Sequence, residues 1–358
     1  MNTITVFSIN TNFHLMITKY YIQNYNINNA IIILNSKNPM IESLVEHDQI
    51  FLKKLIINRS KKTTNRLQIG FKNRGNIMRV KNIVKSQNIE QLIVFKDNDI
   101  INQTLIDIAF KKNVKITLIE DGLGLYTLPE EGLSIRRQNK IKKYFFSYPE
   151  FVINTQGINP KVNEIIASST ELLPEEKTEE KSLINKLRLD QLSREQIERL
   201  YDYFNINNKL FDLDQTEKPT ILFIGQPFSE NKLLDYAKEK AALDSVIYYL
   251  VNKKVNVIIK PHPSENIKKY NDYLNYESVY LFKEYHIPAE LIPAKMNIDI
   301  TLTVHSTSCY YIHQWYGVKS YSLYKMFFGK APDENLKEKI TKMYNMKLVN
   351  NMSEIECL

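Results

Sequence analysis

Ten short runs of apolar and β-branched residues, four to seven residues each, punctuate this chain. In the first half they are Thr3–Ile9, Ala30–Leu34, Lys54–Ile57, Gln91–Phe95 and Lys115–Ile119. In the second half they are Thr220–Gly225, Val255–Lys260, Val279–Phe282, Asp299–Val304 and Lys319–Leu323. Runs this short and this apolar read as fully buried strands. Stretches with a helical pattern separate most of them: Phe13–Tyr25, Glu42–His47, Asn76–Ser86 and Ile100–Lys111, then Leu233–Val251, a turn opened by Pro288, Cys309–Tyr316 and Glu334–Tyr344. Strand-helix alternation implies parallel sheets covered on both faces. A chain of 358 residues is long for one core and comfortable for two. The expected fold class is α/β, with two Rossmann-like domains whose parallel sheets face a central cleft.

The expected division is an N-terminal domain over residues 1–175, a helical connector over 176–215 and a C-terminal domain over 216–358 with a terminal helix. Asn10-Thr11-Asn12 supplies N-cap residues for the first helix. Gly70 and Gly75 suggest a loop within the tract that precedes Asn76–Ser86. Pro149–Lys177 reads as irregular, and the charged stretch from Ser182 to about Asn205 as the connector helix, closed by Pro219.

No apolar run reaches the roughly 18 residues that a membrane-spanning helix needs. The start, MNTITVFSIN, lacks the basic-then-apolar pattern of a signal peptide. Two cysteines, Cys309 and Cys357, form no disulfide framework, so a reducing cytoplasm is expected. The net charge of +8 is uneven, because residues 1–150 hold 22 Lys/Arg against 12 Asp/Glu. Arg59–Lys85 carries nine basic residues and no acid, among them Lys61, Lys62, Arg66, Lys72 and Arg74. Such a surplus draws polyanions or an anionic membrane surface, unless it is only a solvated face.

Chemistry-bearing residues gather where strands end, which is where parallel sheets bind ligands. VNVIIKPHP ends in Lys260-Pro261-His262-Pro263. Neither proline has an N–H for the ladder, so the chain must leave the sheet with His262 pinned between two fixed φ angles. His262 and Lys260 suit an anionic ligand, or else form a stiff solvated loop. Glu120-Asp121-Gly122-Leu123-Gly124 follows Lys115–Ile119. A carboxylate there can serve as a general base, or the segment is an ordinary Asp-Gly turn. Ser306-Thr307-Ser308 enters a helix, where hydroxyls and N–H groups make an anion site or simply cap the helix. Glu290 follows Pro288 at a helix start, suited to ribose hydroxyls or to the helix dipole. Gly225-Gln226-Pro227 is a candidate loop for nucleotide or acceptor.

Glycine-rich nucleotide fingerprints and zinc spacings are absent. Asp97-Asn98-Asp99 resembles the metal-binding triplet of metal-dependent glycosyltransferases but more simply caps Ile100–Lys111, and Asp212-Leu213-Asp214 reads as surface charge. His14 either faces the cleft from the first helix or, more simply, is a packed or solvated residue, and His305 and His313 read as structural.

Taken together, Glu120-Asp121-Gly122, His262-Pro263 and Ser306-Thr307-Ser308 resemble the acidic-acidic-glycine, His-Pro and serine motifs of bacterial sialyltransferases of the GT-B fold, and most closely the capsular polysialyltransferases. The segments ITLIEDGLGLYTLPEE, VIIKPHPSENIKKY and LTVHSTSCYYIHQWYGVKSYSL carry the same resemblance. It implies metal-independent, inverting transfer of sialic acid from CMP-sialic acid to the non-reducing end of an oligo- or polysialic acid, in capsule biosynthesis. By that resemblance Glu120 deprotonates the acceptor, and His262 stabilises or protonates the departing phosphate. Ser306, Thr307 and Ser308 bind that phosphate and Glu290 the ribose, with Lys260, Pro263, Gly225 and Gln226 completing the donor side. Asp121, Gly122 and the basic tract fall on the acceptor side. No cofactor, metal or nucleic acid is expected; the inner face of the cytoplasmic membrane and capsule assembly proteins are possible partners. The alternatives are a mono-sialyltransferase of lipooligosaccharide or capsule repeats, and a non-catalytic polyanion- or membrane-surface-binding protein.

Overall fold

A computed structural model describes residues 3–36, 38–57, 66–128, 135–137, 145, 147–149, 151–179, 181–205 and 218–356. The chain forms two compact units, Met1–Arg188 and Leu189–Leu358.

The first unit runs β1 (Ile4–Ile9), α1 (Asn12–Asn24), β2 (Ala30–Leu34), α2 (Pro39–His47), β3 (Phe51–Ile56), α3 (Arg66–Lys85), β4 (Ile89–Val94), α4 (Ile100–Lys111) and β5 (Lys115–Ile119). A short antiparallel pair, β6 (Ile135–Arg137) and β7 (Phe151–Ile153), precedes β8 (Glu164–Ala167) and β9 (Leu183–Lys186). The main sheet is parallel throughout, in the order β3-β2-β1-β4-β5-β8-β9. Its inner strands are largely buried, as helices on both sides require, and every residue of β2 is buried; the edge strands β3 and β9 keep exposed residues.

Three expectations of the sequence change here. Gly70 and Gly75 do not open a loop: α3 is one 20-residue helix through both. A helical glycine costs about 1 kcal/mol, but Ile77, Val80 and Val84 bury one face of α3 completely, and burial of such side chains is worth about 1.5–3 kcal/mol each. Residues 149–177 are not wholly irregular, since β8 lies among them as an inner strand. The stretch from Ser182 to Asn205 is not one helix. Leu183–Lys186 pairs with β8 at the sheet edge, and α5 (Arg194–Phe204) starts afresh at a capping box made by Ser193 and Gln196.

The second unit holds α5, β10 (Thr220–Ile224), α6 (Tyr236–Asn252), β11 (Asn256–Lys260), β12 (Val279–Leu281), β13 (Ile300–Thr303), α7 (Ser308–Tyr316), β14 (Lys319–Ser322) and β15 (Met346–Leu348). The order β12-β11-β10-β13-β14-β15 is again parallel. Ile221, Phe223, Val257, Ile259 and Leu302 pack with Val246, Ile247 and Leu250 of α6 in its core.

Both sheets therefore start from a central strand, build outward on one side, and return to build on the other. The reversal falls between β1 and β4 in the first unit and between β10 and β13 in the second. Ligands of doubly wound sheets bind beyond the strand ends at such reversals.

Candidate active site

In the first unit, Asn10, Lys96, Glu120 and Asp121 follow the carboxyl ends of β1, β4 and β5. Glu120 is only 2% exposed. Its Oε2 accepts from the Tyr126 hydroxyl at 2.5 Å and from the Ser168 N–H at 2.5 Å. The Ser169 N–H in turn donates to the Tyr126 oxygen at 3.2 Å. The carboxylate is thus oriented by a buried phenol and a backbone amide. Gly122 takes φ 86°, a conformation that glycine adopts without strain, and turns the chain directly after the two acids.

Asp121 points to different partners. Its Oδ1 meets His14 Nε2 and its Oδ2 meets Lys96 Nζ at 2.7 Å. The Asn10 N–H donates to His14 Nδ1 at 3.1 Å, so a neutral imidazole carries its proton on Nε2, facing Asp121. The His14 ring is fully buried and stacks on Phe95 with centroids 4.2 Å apart. Burial pushes the Asp121 carboxyl up, but His14 and then Lys96 outweigh it and hold the pKa below the ordinary carboxylate value. The sequence reading preferred a packed or solvated His14 to one facing the cleft, and passed over Lys96. The signal was available: a His one turn into the helix after β1, and a Lys just past the end of the neighbouring β4.

Asp97 and Asp99 serve the backbone. The Asp97 carboxylate accepts from the N–H groups of Gly157 and Asn159, tying down the loop before β8. Asp99 caps α4 through Ile101 N–H and Asn102 N–H. Capping, expected for the triplet, is what Asp99 does. Asp212 and Asp214 lie outside the described residues, as do Arg59, Lys61 and Lys62. Arg66 is the first residue of α3, and Lys72, Arg74 and Arg79 are exposed along that helix.

In the second unit the KPHP segment leaves β11 as expected. His262 is exposed. The Ser264 N–H donates to its Nδ1 at 3.1 Å, so the neutral ring carries its proton on Nε2. Surrounding protein and the Lys260 charge lower its pKa to about 4. The His262 N–H donates to Glu265 Oε2 at 2.5 Å. Glu265 also accepts from Tyr270 and pairs with buried Lys269, which pairs with Glu239 as well. This buried network anchors the histidine loop. It also explains Gly225: a β-carbon there would collide with the Glu265 carboxylate and the Tyr270 hydroxyl.

Lys260 is not an open anion contact, contrary to the expectation for a Lys beside this strand end. It is 4% exposed, donates to the Tyr285 carbonyl at 3.2 Å and lies over the Phe282 ring. Burial lowers its pKa to about 8, against the pull of Glu290. Glu290 is itself buried, with its pKa raised by burial despite a hydrogen bond from the Ser308 hydroxyl at 2.8 Å. Ser308 N–H donates to the Ser306 oxygen at 3.3 Å. Lys260, Glu290 and the serine turn therefore form one electrostatic group, although the strand end, the helical turn and the serine turn lie far apart in sequence. Pro263 is exposed beside His262. The Gln226 amide is committed to the protein: Nε2 donates to the His305 carbonyl at 2.8 Å, and Oε1 accepts the His305 N–H at 2.9 Å. It clasps the ends of β10 and β13 at the reversal point. His305 and His313 are engaged in packing and backbone contacts, as expected.

The family model described as alpha-2,8-polysialyltransferase (POLYST) matches residues 5–325. No curated protein matches the chain. Among solved structures, an alpha/beta-galactoside alpha-2,3-sialyltransferase from Photobacterium phosphoreum is 14% identical, with a TM-score of 0.54 over 99% of this chain and 100% of that one. A UDP-GlcNAc 2-epimerase from Neisseria meningitidis, bound to UDP-GlcNAc, is 15% identical, with a TM-score of 0.56 over 98% and 95%. At this identity the likeness concerns the fold, which is that of GT-B glycosyltransferases.

Proposed function

The chain belongs to the alpha-2,8-polysialyltransferase family, and from that premise we propose that it transfers sialic acid from CMP-sialic acid to the non-reducing end of an oligo- or polysialic acid, with inversion at the anomeric carbon. The observation that carries this reading is the position of the three motifs. Each follows a parallel strand at its carboxyl end: Glu120 after β5, His262 after β11, and Ser306-Thr307-Ser308 after β13.

In this reading Glu120 takes the proton of the acceptor hydroxyl as that oxygen bonds to the anomeric carbon, while the bond to the CMP phosphate breaks. Tyr126 and Ser168 fix the direction of the carboxylate. The Nε2–H of neutral His262 donates a hydrogen bond to the departing phosphate. A phosphate beside the ring favours imidazolium and raises the pKa from about 4, so donor binding draws a proton toward His262. Hydroxyls of Ser306, Thr307 and Ser308 hold the same phosphate. Glu290 serves the ribose, and Lys260 supplies positive charge from beneath. No metal enters the scheme, and full activity in chelator is its check. Lys72 and Arg74, with Lys61, Lys62 and Arg66, hold the polyanionic acceptor by several weak pairs. Work at the cytoplasmic face of the membrane beside capsule assembly proteins suits such a product.

The test is incubation with CMP-sialic acid and a fluorescent short sialoside, with products separated by length. A ladder of longer products is expected. A single addition would restrict the enzyme to mono-transfer, and no turnover of CMP-sialic acid would end the reading.

A further inference from the structure

Two acids stand side by side after β5, and their surroundings divide the labour between them. We propose that Asp121 is a fixed anion that receives a hydroxyl of the sugar acceptor, and that buried His14, with Lys96, is the positioning residue that holds it so; this rests on the reading of the first unit as the acceptor side.

The position is the first argument. Asn10 follows β1, Lys96 follows β4 and Asp121 follows β5, so the group spans the point where the strand order reverses. That is where a doubly wound sheet presents a ligand. Helix α1 begins at the same end, capped by Thr11, whose hydroxyl accepts the His14 N–H.

The second argument is the geometry of the imidazole. His14 has no exposed surface, so it cannot touch substrate. Its two nitrogens are nonetheless both assigned: Nδ1 to the Asn10 N–H and Nε2 to Asp121. Its ring is clamped on Phe95. A backbone amide at the β1 end thus dictates where a proton is offered at the β5 end.

The third is the state of Asp121. A carboxylate has about four lone-pair directions. His14 and Lys96 each engage one oxygen, and the side chain stays 14% exposed. The remaining directions can accept but not donate. They suit a hydroxyl and repel a carboxylate, so they favour presentation of the hydroxyl-bearing end of an anionic sugar. The titratable and charged groups that act on Asp121 are His14 from α1 and Lys96 from the β4 end. Both hold its pKa below the ordinary carboxylate value, which makes it a weak proton acceptor, and the task of base stays with Glu120.

The test compares His14→Phe, His14→Gln and Lys96→Met with wild type. Phenylalanine keeps the ring on Phe95 and removes the donor, whereas glutamine can restore an N–H toward Asp121. Expected for His14→Phe are a 10- to 100-fold rise in KM for a short sialoside, an unchanged KM for CMP-sialic acid, and an acid limb of the rate profile moved to higher pH. His14→Gln recovers most of the acceptor affinity. Lys96 sits at the surface, so Lys96→Met tests the same claim even if His14→Phe does not fold; it should move the acid limb the same way. Unchanged acceptor KM and pH profile in Lys96→Met, or a loss confined to the donor KM, would overturn the proposal. Wild-type protein inactive toward CMP-sialic acid would instead remove the underlying reading, and the acceptor's affinity, measured calorimetrically without donor, would then decide on His14 alone.

Discussion

At the end of β5, Asp121 lies between an imidazole and an ammonium that together outweigh its burial. At the end of β11, Lys260 is more deeply buried but among the described residues hydrogen-bonds at 3.2 Å only to a carbonyl, with a carboxyl nearby that burial itself holds toward neutrality. The two sheets share a strand order and the same kind of site position. They differ in whether the local charge is compensated before any ligand arrives. The first unit has a carboxylate that is ionised and fixed. The second has a histidine and a lysine whose charged forms are both disfavoured, and an arriving phosphate would reverse that. A site for a neutral hydroxyl needs its charge balanced in advance, whereas a site for a phosphate can leave positive charge uncompensated.

The largest effect that would break this contrast comes from the two residues proposed as catalytic. Glu120→Gln should lower turnover by about 10²–10⁴-fold, the range for a lost general base, while calorimetry finds CMP binding unchanged. Retained turnover would move the base elsewhere. His262→Ala should cost about 10²-fold in turnover, and a proton should be taken up when CMP binds to wild type near pH 6 but not to the variant. Equal proton uptake in both would mean that another group titrates.

Stability offers a sharper test, because the two units should respond with opposite sign. Lys260 has its pKa lowered from 10.5 to about 8 on folding. Below pH 8 it is charged in both states, and its desolvation opposes folding in full. Between 8 and 10.5 the native chain has shed the proton and the unfolded chain has not, so the opposition fades as pH rises. Lys260→Met should therefore stabilise the protein at pH 7 by up to about 3 kcal/mol, less at pH 10, and weaken donor binding. Lys96→Met should instead destabilise slightly, by about 0.5–1 kcal/mol, because it removes a partner from a largely buried carboxylate. Urea melts at both pH values read both. Destabilisation by Lys260→Met would mean that the lysine is compensated after all.

The smallest effect concerns the basic helix. Neutralising Lys72 and Arg74 together should weaken long acceptors a few-fold more than short ones, with the difference vanishing in high salt. Equal losses at all lengths would detach α3 from the acceptor.

The sequence by itself determined the alternation of buried strands and helices, because burial on both faces leaves apolar runs that are visible without a structure. It also determined where the chain must leave β11, since two prolines cannot join a ladder, and which motifs stand at strand ends. It misjudged α3, where packing on one face overrides two glycines, and β8 and β9, of which β8 is a buried strand of only four residues and β9 a short exposed strand paired along the edge of β8. Only the tertiary structure decided the electrostatics. That Asp121 meets His14 from 107 residues away, that Ser308 meets Glu290, and that Gly225 exists to admit Glu265 and Tyr270 depends on which strand ends the sheet order makes neighbours. Charge compensation acts over a few ångströms in space, and no local pattern of residues encodes it.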